Sequence, residues 1–316
     1  MNMTKLALSL LLAGIATGCT SIPVSTPVAL ADLPNCFDAN YDRERGLFTI
    51  KTDAGNPVNQ QCLLTVGPRG GAASPSRLSA GSYRVYLANG GGGGAGGTLQ
   101  AFLGGGGGGG GGAGSVESQI TINLAERAYK LTLGAGGPGG TACMPGVGIG
   151  GGPGWVGSPS NMVRVATGEL VIGTPGADSY ARPTRGQNER SAGKMDAHGG
   201  SGPGETSGGH GATPATKASV SVEATAGASK PTSAGTEAGG ATGSISLADK
   251  SPGVGGGGGA TSIGRGGGGG GESPGQKEQA PVRGSLGGGG GGGEGSRTEC
   301  DPGARGGHGY IALRQN

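Results

Sequence analysis

Aromatic and large aliphatic side chains are scarce in this chain, which excludes a large conventional hydrophobic core. Aromatic residues make up 3% of the 316 residues, and hydrophobic residues of all kinds, alanine included, make up 33%. A chain of this length that buries little apolar surface must be ordered in another way or stay disordered. Hydrogen bonding between backbones is the interaction that is left to order it.

Charge is also sparse, and the motifs of common catalytic and metal sites are missing. The formal net charge of +3 is too small to predict nucleic-acid binding. Asp196, His198 and His210 lack the spacing of a metal site, and no cysteine lies in a C-x-x-C pair. Residues 271–275 fit G-x-S-x-G, but Pro274 is incompatible with the helix that a hydrolase requires after the serine. We therefore expect no enzyme activity, no cofactor and no metal.

Glycine, by contrast, accounts for 81 residues and occurs in five nearly pure runs. The runs are residues 90–94, 104–112, 255–259, 266–271 and 287–293. Such runs, separated by strand-like segments, predict polyglycine-II helices, which are extended, have three residues per turn and make no internal hydrogen bonds. Only glycine lets these backbones approach closely enough to bond laterally, although a helix on the rim can carry a side chain at every third position. A flexible linker is the alternative.

We predict a bundle of these helices with the longest run, residues 104–112, near its centre. Gly104, Gly107 and Gly110 would then form the structural glycine core. The remaining sequence predicts short strands and no significant α-helix after the N-terminal segment. The strands are predicted at residues 47–51, 62–66, 83–87, 116–124, 128–133 and 309–314.

Two pairs of segments predict hairpins. Residues 116–124 and 128–133 are expected to pair across a turn, as are residues 162–166 and 169–172. Residues 173–215 are polar and are predicted to be surface loops. The predicted fold class is irregular all-β. It combines a small β domain at residues 35–88 with a polyglycine-II domain at residues 89–316 that contains short β-hairpins.

The N-terminus predicts export and lipid attachment. Residues 6–16 form an apolar stretch that is too short to span a membrane. Three small residues then precede Cys19, which resembles the lipobox of bacterial lipoproteins. The resemblance implies a signal peptide at residues 1–18, a lipid on Cys19, and attachment to the outer membrane or cell surface. Residues 19–34 would form a tether. An ordinary cleaved signal peptide is the alternative.

Four further cysteines predict disulfide bonds, because an even number in an exported chain is typical of a disulfide framework. They are Cys36, Cys62, Cys143 and Cys300, and they allow three pairings. We favour Cys36–Cys62 within the small β domain and Cys143–Cys300 in the glycine-rich domain. The second bond would close a long loop, which stabilises most in the chain-entropy model.

Three segments place a strand-like sequence next to glycines. Residues 80–87 (AGSYRVYL) lead into the first run, residues 129–137 (YKLTLGAGG) repeat the pattern, and residues 306–311 (GGHGYI) reverse it. This order resembles the glycine-rich domains of phage tail fibres, their tip adhesins and related bacterial surface proteins. The resemblance covers residues 80–316. It implies a sandwich of polyglycine-II helices with β segments, displaying loops that contact a surface.

Candidate ligand contacts lie between the glycine runs. Trp155 and Tyr180 could stack on a sugar ring, and Arg182 and Arg185 could bind an anionic sugar or phosphate. The predicted function is that of a lipid-anchored, non-enzymatic surface protein with a structural or adhesive role. Its expected partners are the membrane, through the lipid on Cys19, and a surface glycan or protein. The alternatives are a polysaccharide- or ice-binding protein that uses a flat face of the bundle, and a self-associating fibre subunit.

Overall fold

The chain divides into two compact units, residues 1–33 and residues 34–316. The computed structural model describes residues 30–36, 41–42, 47–51, 60–69, 77–97, 107–114, 116–142, 152, 154–173, 187–191, 194–198, 226, 228–232, 235–237, 255–261, 264–267, 269–270, 280–295 and 300–316. In the first unit, Leu30–Asp32 forms a 3-10 turn. The described residues of the second unit contain strands and no α-helix, which confirms the all-β fold class.

Fourteen strands are present in the described part of the second unit. They are β1 (Tyr41–Asp42), β2 (Leu47–Lys51), β3 (Gln60–Gly67), β4 (Leu78–Ser79), β5 (Gly81–Ala88), β6 (Val116–Leu124), β7 (Ala128–Leu133), β8 (Asn161–Arg164), β9 (Leu170–Gly173), β10 (Gln187–Ser191), β11 (Lys194–His198), β12 (Lys230–Thr232), β13 (Gly235–Glu237) and β14 (Tyr310–Gln315). A first sheet has the order β1-β2-β14-β5-β6, and a second sheet has the order β4-β3-β7-β8-β9. Strands β10 and β11 form a separate antiparallel pair, as do β12 and β13.

The two five-stranded sheets share one hydrophobic core, which makes them a β-sandwich. Inward-facing side chains alternate along the strands, for example Tyr83, Val85 and Leu87 on β5. Their counterparts on the second sheet include Leu64 on β3 and Leu131 on β7, and all belong to a single buried cluster. Within the described residues, the buried large apolar side chains are thus concentrated in this one layer.

The predicted hairpin of residues 116–124 and 128–133 is wrong, although both strands have those bounds. Strand β6 pairs with β5 in the first sheet, whereas β7 pairs with β3 in the second. The turn between them therefore carries the chain from one sheet to the other. The hydroxyl of Tyr129 fixes this turn, because it accepts a hydrogen bond from Ala125 N (3.0 Å). Both strands place apolar residues in the core, and packing across the sandwich outweighs local pairing.

The second predicted hairpin is confirmed, and one predicted loop contains strands. Strands β8 and β9 pair antiparallel, with Gly168 in the left-handed region at a φ of 69°. An ion pair between Arg164 and Glu169 spans this turn. Within residues 173–215, which were expected to be loops, β10 and β11 pair over five residues each. Their polar sequences lack the apolar alternation by which strands are recognised.

Nine extended segments, most of them glycine-rich, account for most of the other described residues. We label them PG1 (90–97), PG2 (107–114), PG3 (134–142), PG4 (152–160), PG5 (255–261), PG6 (264–270), PG7 (280–285), PG8 (287–294) and PG9 (300–309). Their backbone groups bond to other segments, with partners that recur every three residues. Among the described residues of these segments, only Gly287 has a positive φ. A threefold extended chain of negative φ is the left-handed polyproline-II form, so the segments are polyglycine-II helices.

PG8 is enclosed by other helices in the described part of the bundle. Every N–H and every C=O of residues 287–293 forms a backbone hydrogen bond, with N···O distances of 2.7–3.0 Å. From residue 289 to residue 293, the N–H groups bond in rotation to PG5, PG1 and PG7. The carbonyls of PG8 accept hydrogen bonds from PG2, PG6 and PG9. PG8 is therefore enclosed by six neighbouring helices.

These six neighbours form a closed ring. In the order PG1, PG2, PG5, PG6, PG7 and PG9, each helix is bonded to the next, and PG9 is bonded to PG1. PG3 and PG4 lie outside the ring, where PG3 bonds to PG1 and PG9, and PG4 bonds to PG1 and PG3. Neighbours run both parallel and antiparallel to one another. The arrangement is a hexagonal lattice in which backbones are held together by backbones.

The longest glycine run lies beside the enclosed helix. PG2, its described part, is buried, and within the described residues it is bonded to PG1, PG5 and PG8. The helix with six described neighbours is the shorter run at residues 287–293. The prediction that residues 104–112 lie near the centre of the bundle stays a prediction, because residues 104–106 are outside the described part of the chain.

Five of the nine helices continue strands of the sandwich. Strands β5 and β7 lead into PG1 and PG3, while PG2, PG4 and PG9 lead into β6, β8 and β14. PG9, PG1 and PG2 keep the neighbour order of β14, β5 and β6. Residues 35–88 and 89–316 contribute to both sheets, so the predicted boundary at residue 88 does not separate two cores. The sandwich instead sets the alignment of the glycine helices.

Candidate functional surface

PG3 contacts neighbouring helices through its glycines and carries side chains on its third face. A Cβ at Gly136 would lie 1.9 Å from the carbonyl oxygen of Gly306 on PG9. A Cβ at Gly137 would lie 2.0 Å from the carbonyl oxygen of Trp155 on PG4. Side chains occupy every third position on the remaining face, at Ala135, Pro138 and Thr141. A rim helix thus tolerates side chains only on its outer face, as the sequence predicted.

Trp155 is the predicted contact residue that the structure places on the surface. Its N–H donates to Pro138 O (2.9 Å), and its carbonyl accepts from Gly93 N (2.9 Å). Its side chain is 54% exposed. Because the backbone of Trp155 is bonded to PG3 and PG1, the indole projects from a rigid support. An exposed indole held in this way can stack on a sugar ring at a small cost in backbone ordering.

The other predicted site residues fall into two groups. Cys19, Gly104, Cys143, Tyr180, Arg182 and Arg185 lie outside the described residues. Gly107 and Gly110 are buried in PG2, and a Cβ at Gly110 would lie 2.1 Å from Gly257 O on PG5. Gly110 thus belongs to the close-packed lattice, although its helix is beside the enclosed one.

The cysteine predictions are confirmed for the first pair. Cys36 and Cys62 form a disulfide bond with a Cα–Cα distance of 5.2 Å. Cys300 is also disulfide-bonded. Its predicted partner, Cys143, is not among the described residues, so the second pairing stays a prediction.

A buried polar cluster marks the level at which the sandwich gives way to the bundle. Ser160 is fully buried, and its Oγ donates to Ala88 O (2.7 Å) and accepts from Gly134 N (3.0 Å). Its N–H donates to Oδ1 of Asn89 (2.7 Å). In the sandwich, side chains keep the two sheets about 10 Å apart, whereas in the bundle the backbones are in direct contact. At the junction, the side chains of Ser160 and Asn89 therefore bond to backbone groups that continue neither the sheet ladders nor the bundle.

His308 belongs to the same junction. Its Nδ1 accepts a hydrogen bond from Gly136 N (2.9 Å), and the residue is 5% exposed. Burial, followed by the positive charges of Arg283 and Arg305, lowers the pKa of His308 to about 4. The ring is therefore neutral at pH 7. Because this pKa is below that of the unfolded chain, folding stability decreases as the pH falls from about 6.5 towards 4.

Sequence reasoning missed these junction residues. Asn89 directly precedes a glycine run, Ser160 ends PG4, and His308 stands between two glycines. An isolated polar residue where a strand meets a glycine segment is the only local signal. Their partners lie far along the chain, for example 172 residues apart for Gly136 and His308, so only the fold reveals the contacts.

We expect Ser160→Ala to destabilise the protein by about 2–4 kcal/mol. The change leaves the carbonyl of Ala88 and the N–H of Gly134 without their hydroxyl partner in a buried position, and each such group costs about 1–3 kcal/mol. Chemical denaturation of both proteins measures the difference. Ser158→Ala is the matched control, since the described hydrogen bonds of Ser158 are made by its backbone. Equal stability of the two variants would contradict the role of the hydroxyl.

Comparison with known proteins gives no relative from which a role could be transferred. No family model matches the sequence, and no curated protein matches it. In the part of the chain that the structure describes, no helix is long and apolar enough to cross a membrane. The same residues contain no group of three or more His, Cys, Asp or Glu that could hold a metal ion. The function must therefore be argued from the bundle, its rim and the sequence.

Proposed function

We propose that this protein is a lipid-anchored, non-enzymatic surface protein whose polyglycine-II bundle is a rigid scaffold for interaction. The observation that carries the proposal is the complete backbone bonding of PG8 within six helices. A helix held on all sides cannot bend or slide without breaking many bonds at once. Such a scaffold keeps the side chains on its rim in fixed positions, which favours recognition of a partner by lowering the entropy lost on binding.

The disulfide bonds support an exported location. Cys36–Cys62 is formed and Cys300 is also in a disulfide, and such bonds persist in oxidising compartments outside the cytosol. The small residues before Cys19 add the second argument, because they resemble the lipidation signal of bacterial lipoproteins. The proposed location is the outer membrane or cell surface, with the lipid on Cys19 as the anchor.

Trp155 supports an adhesive role. It is a large aromatic side chain exposed on the rim, in a chain with few aromatic residues. Exposed tryptophans are enriched where proteins bind other proteins or sugars, because one flat ring buries much area with few rotatable bonds. We propose that it contacts a surface glycan or protein.

Expression of the full chain in a Gram-negative host, with radiolabelled palmitate, tests the anchor. The wild-type protein is expected to carry the label and to sediment with membranes. Cys19→Ala should carry no label and should be recovered from the soluble fraction. Cys300→Ala is the control, since it removes another cysteine and should keep the label. An unlabelled, soluble wild-type protein would refute the anchor.

A glycan array tests the adhesive role. The wild-type protein should bind at least one glycan class, and Trp155→Ala should lose most of that signal. Leu170→Ala removes another exposed apolar side chain, on β9, and should bind normally. If the wild-type protein binds no glycan but sediments as large assemblies, the fibre alternative replaces the adhesive proposal. Binding to ice crystals would favour the flat-face alternative.

A further inference from the structure

Strand β6 is an edge of the first sheet and is much longer than the other edge strands of the two five-stranded sheets. It spans nine residues, Val116–Leu124, whereas β1 and β4 have two residues each and β9 has four. Native proteins usually keep edge strands short or place charges and prolines on them, because the backbone groups at an edge can pair with another chain. Strand β6 has no proline, and its residues 118–124 have no charge. It is therefore the edge that is least protected against pairing.

The second half of β6 is regular and has an open backbone edge. Gln119 has no partner on β5 and forms a bulge, and residues 120–124 then pair with β5 without interruption. In an antiparallel ladder, every second residue directs its N–H and C=O away from the neighbouring strand. Within the described part of the chain, the backbone hydrogen bonds of residues 120–124 are those to β5. The outward groups of this segment can therefore accept a further strand.

The core-facing side of β6 is left open near the middle of the strand. Ile120 lies opposite Val85, which belongs to the core, so Ile120 is on the core-facing side of the sheet. Leu124 is on the same side and is 2% exposed, but Ile120 is 40% exposed. The second sheet thus covers one end of β6 and not its middle. A partner that covers Ile120 would bury further apolar surface, which favours association.

We propose that β6 pairs with β6 of a second copy of this chain, antiparallel and about a twofold axis at Ile122. In this register Ile122 lies beside its own counterpart, and Ile120 lies beside Leu124. On the outer face, the exposed Thr121 lies beside the exposed Asn123. Apolar residues then meet apolar residues and polar residues meet polar ones, and the first sheets of the two copies join into one continuous sheet. Such an interface uses the same surface on both copies, so it gives a closed dimer and not a fibre.

The distribution of charge favours a second copy as the partner. A symmetric strand pair brings like residues close together, so charged residues would repel one another, and residues 118–124 have none. Further from the axis, Glu126 of one copy falls opposite the uncharged Ser118 of the other, and Arg127 falls opposite Glu117. Opposite charges are therefore expected at both ends of the pair. The pairing depends neither on the proposed lipid nor on the exposed tryptophan, and it goes beyond the proposed function by naming an interface between copies.

Disulfide cross-linking in cells that express the full chain tests the pair. A single strand pair is a small interface, and cross-linking captures a dimer that dissociates on dilution. Ile122→Cys places a thiol on the axis, where the Cα atoms of opposite residues are about 4.5–5.5 Å apart, within the range that a disulfide spans. Non-reducing gels should show a dimer. Arg314→Cys, at an exposed position on β14, is the control for random collisions and should stay monomeric. A monomeric Ile122→Cys, or equal cross-linking of both variants, would overturn the pairing.

Charge variants at two exposed positions test the register. Thr121→Glu with Asn123→Glu places like charges opposite one another, whereas Thr121→Glu with Asn123→Lys places opposite charges there. Both variants share the change at Thr121, so its effect on Arg84, the neighbour of Thr121 on β5, is matched. Combined with Ile122→Cys, the first variant should cross-link about tenfold more slowly than the second, because each facing pair changes from repulsion to attraction. Equal rates would rule out this register and the proposal with it.

A second pair of thiols keeps the test decisive if Ile122→Cys folds poorly, since Ile122 packs partly against the core. Thr121→Cys and Asn123→Cys change exposed residues, and co-expression of the two with different tags should give a mixed disulfide-linked dimer. Either variant expressed alone should remain monomeric, because its two thiols are out of register. If both proteins are present at normal levels and no mixed dimer forms, the proposal is wrong.

Discussion

Gly292→Ala is expected to destabilise the protein by more than about 3 kcal/mol and to lower its melting temperature by about 6–12 °C. The added Cβ would lie 1.9 Å from Gly108 O and 2.5 Å from Gly108 C. These are backbone atoms of PG2, and they cannot swing aside as a flexible side chain could. The same carbonyl of Gly108 accepts a hydrogen bond from Gly256, so any movement spreads to PG5. The methyl group therefore cannot be accommodated without moving the backbone of PG2.

The matched control is Gly81→Ala, which adds the same methyl group at the start of β5. The nearest atom to its Cβ would be the side-chain Nε2 of Gln315, 3.7 Å away, and its stability should change by less than about 1 kcal/mol. Thermal and chemical denaturation of the two variants give the comparison. If Gly292→Ala unfolds at the same temperature as Gly81→Ala, the close-packed lattice is not the structure in solution.

The double substitution Cys36→Ala and Cys62→Ala is expected to lower stability by about 3–4 kcal/mol. The bond joins residues that are 26 positions apart, and the chain-entropy model gives about 3.5 kcal/mol for a loop of that length. Cys36 is also buried in the core, which adds a small packing loss. The bond ties the segment before β2 to β3, where Asn35 bridges Leu63.

Urea denaturation of the oxidised proteins measures this effect. The double variant should still lose stability when reductant is added, because Cys300 is in another disulfide. The wild-type protein should lose more than the variant does on reduction. A double variant as stable as the wild-type protein would show that the first bond closes a loop that the remaining contacts already hold.

Much of the architecture could be predicted because long glycine runs have no side chains to pack and because apolar residues alternate along several strands. A run of pure glycine has no side chain with which to fill a core, so lateral backbone bonding is its only route to order. Strands such as Val116–Leu124 and Ala128–Leu133 alternate visibly, and their bounds were correct. The polar strands Gln187–Ser191 and Lys194–His198 lack that signal and were not predicted.

The partners of each element were harder to predict than the elements. The turn at residues 125–127 has the length of a hairpin loop, yet it connects two different sheets. Likewise, nothing in the run at residues 287–293 distinguishes it from the longer run at residues 104–112. In both cases the contacts that decide the arrangement come from segments far away in the chain, and the local sequence does not reveal which segments these are.

The candidate surface was predicted in part for the same reason. Trp155 could be singled out because an aromatic ring can stack on a sugar, and the structure shows it exposed. Asn89, Ser160 and His308 could not be singled out, because the groups they bond to lie far along the chain.

The sequence by itself determined the structural elements. These are extended glycine helices, short strands, a small apolar core, and cysteines that form at least one disulfide. These follow from which backbone conformations each residue type allows. Only the tertiary structure decided which described helix is enclosed, how two sheets continue into one lattice, and which polar side chains lie at the junction. Those outcomes depend on hydrogen bonds between backbone groups that are distant in the chain. Every glycine offers the same donor and acceptor, so no local feature of a glycine run indicates which run it will bond to.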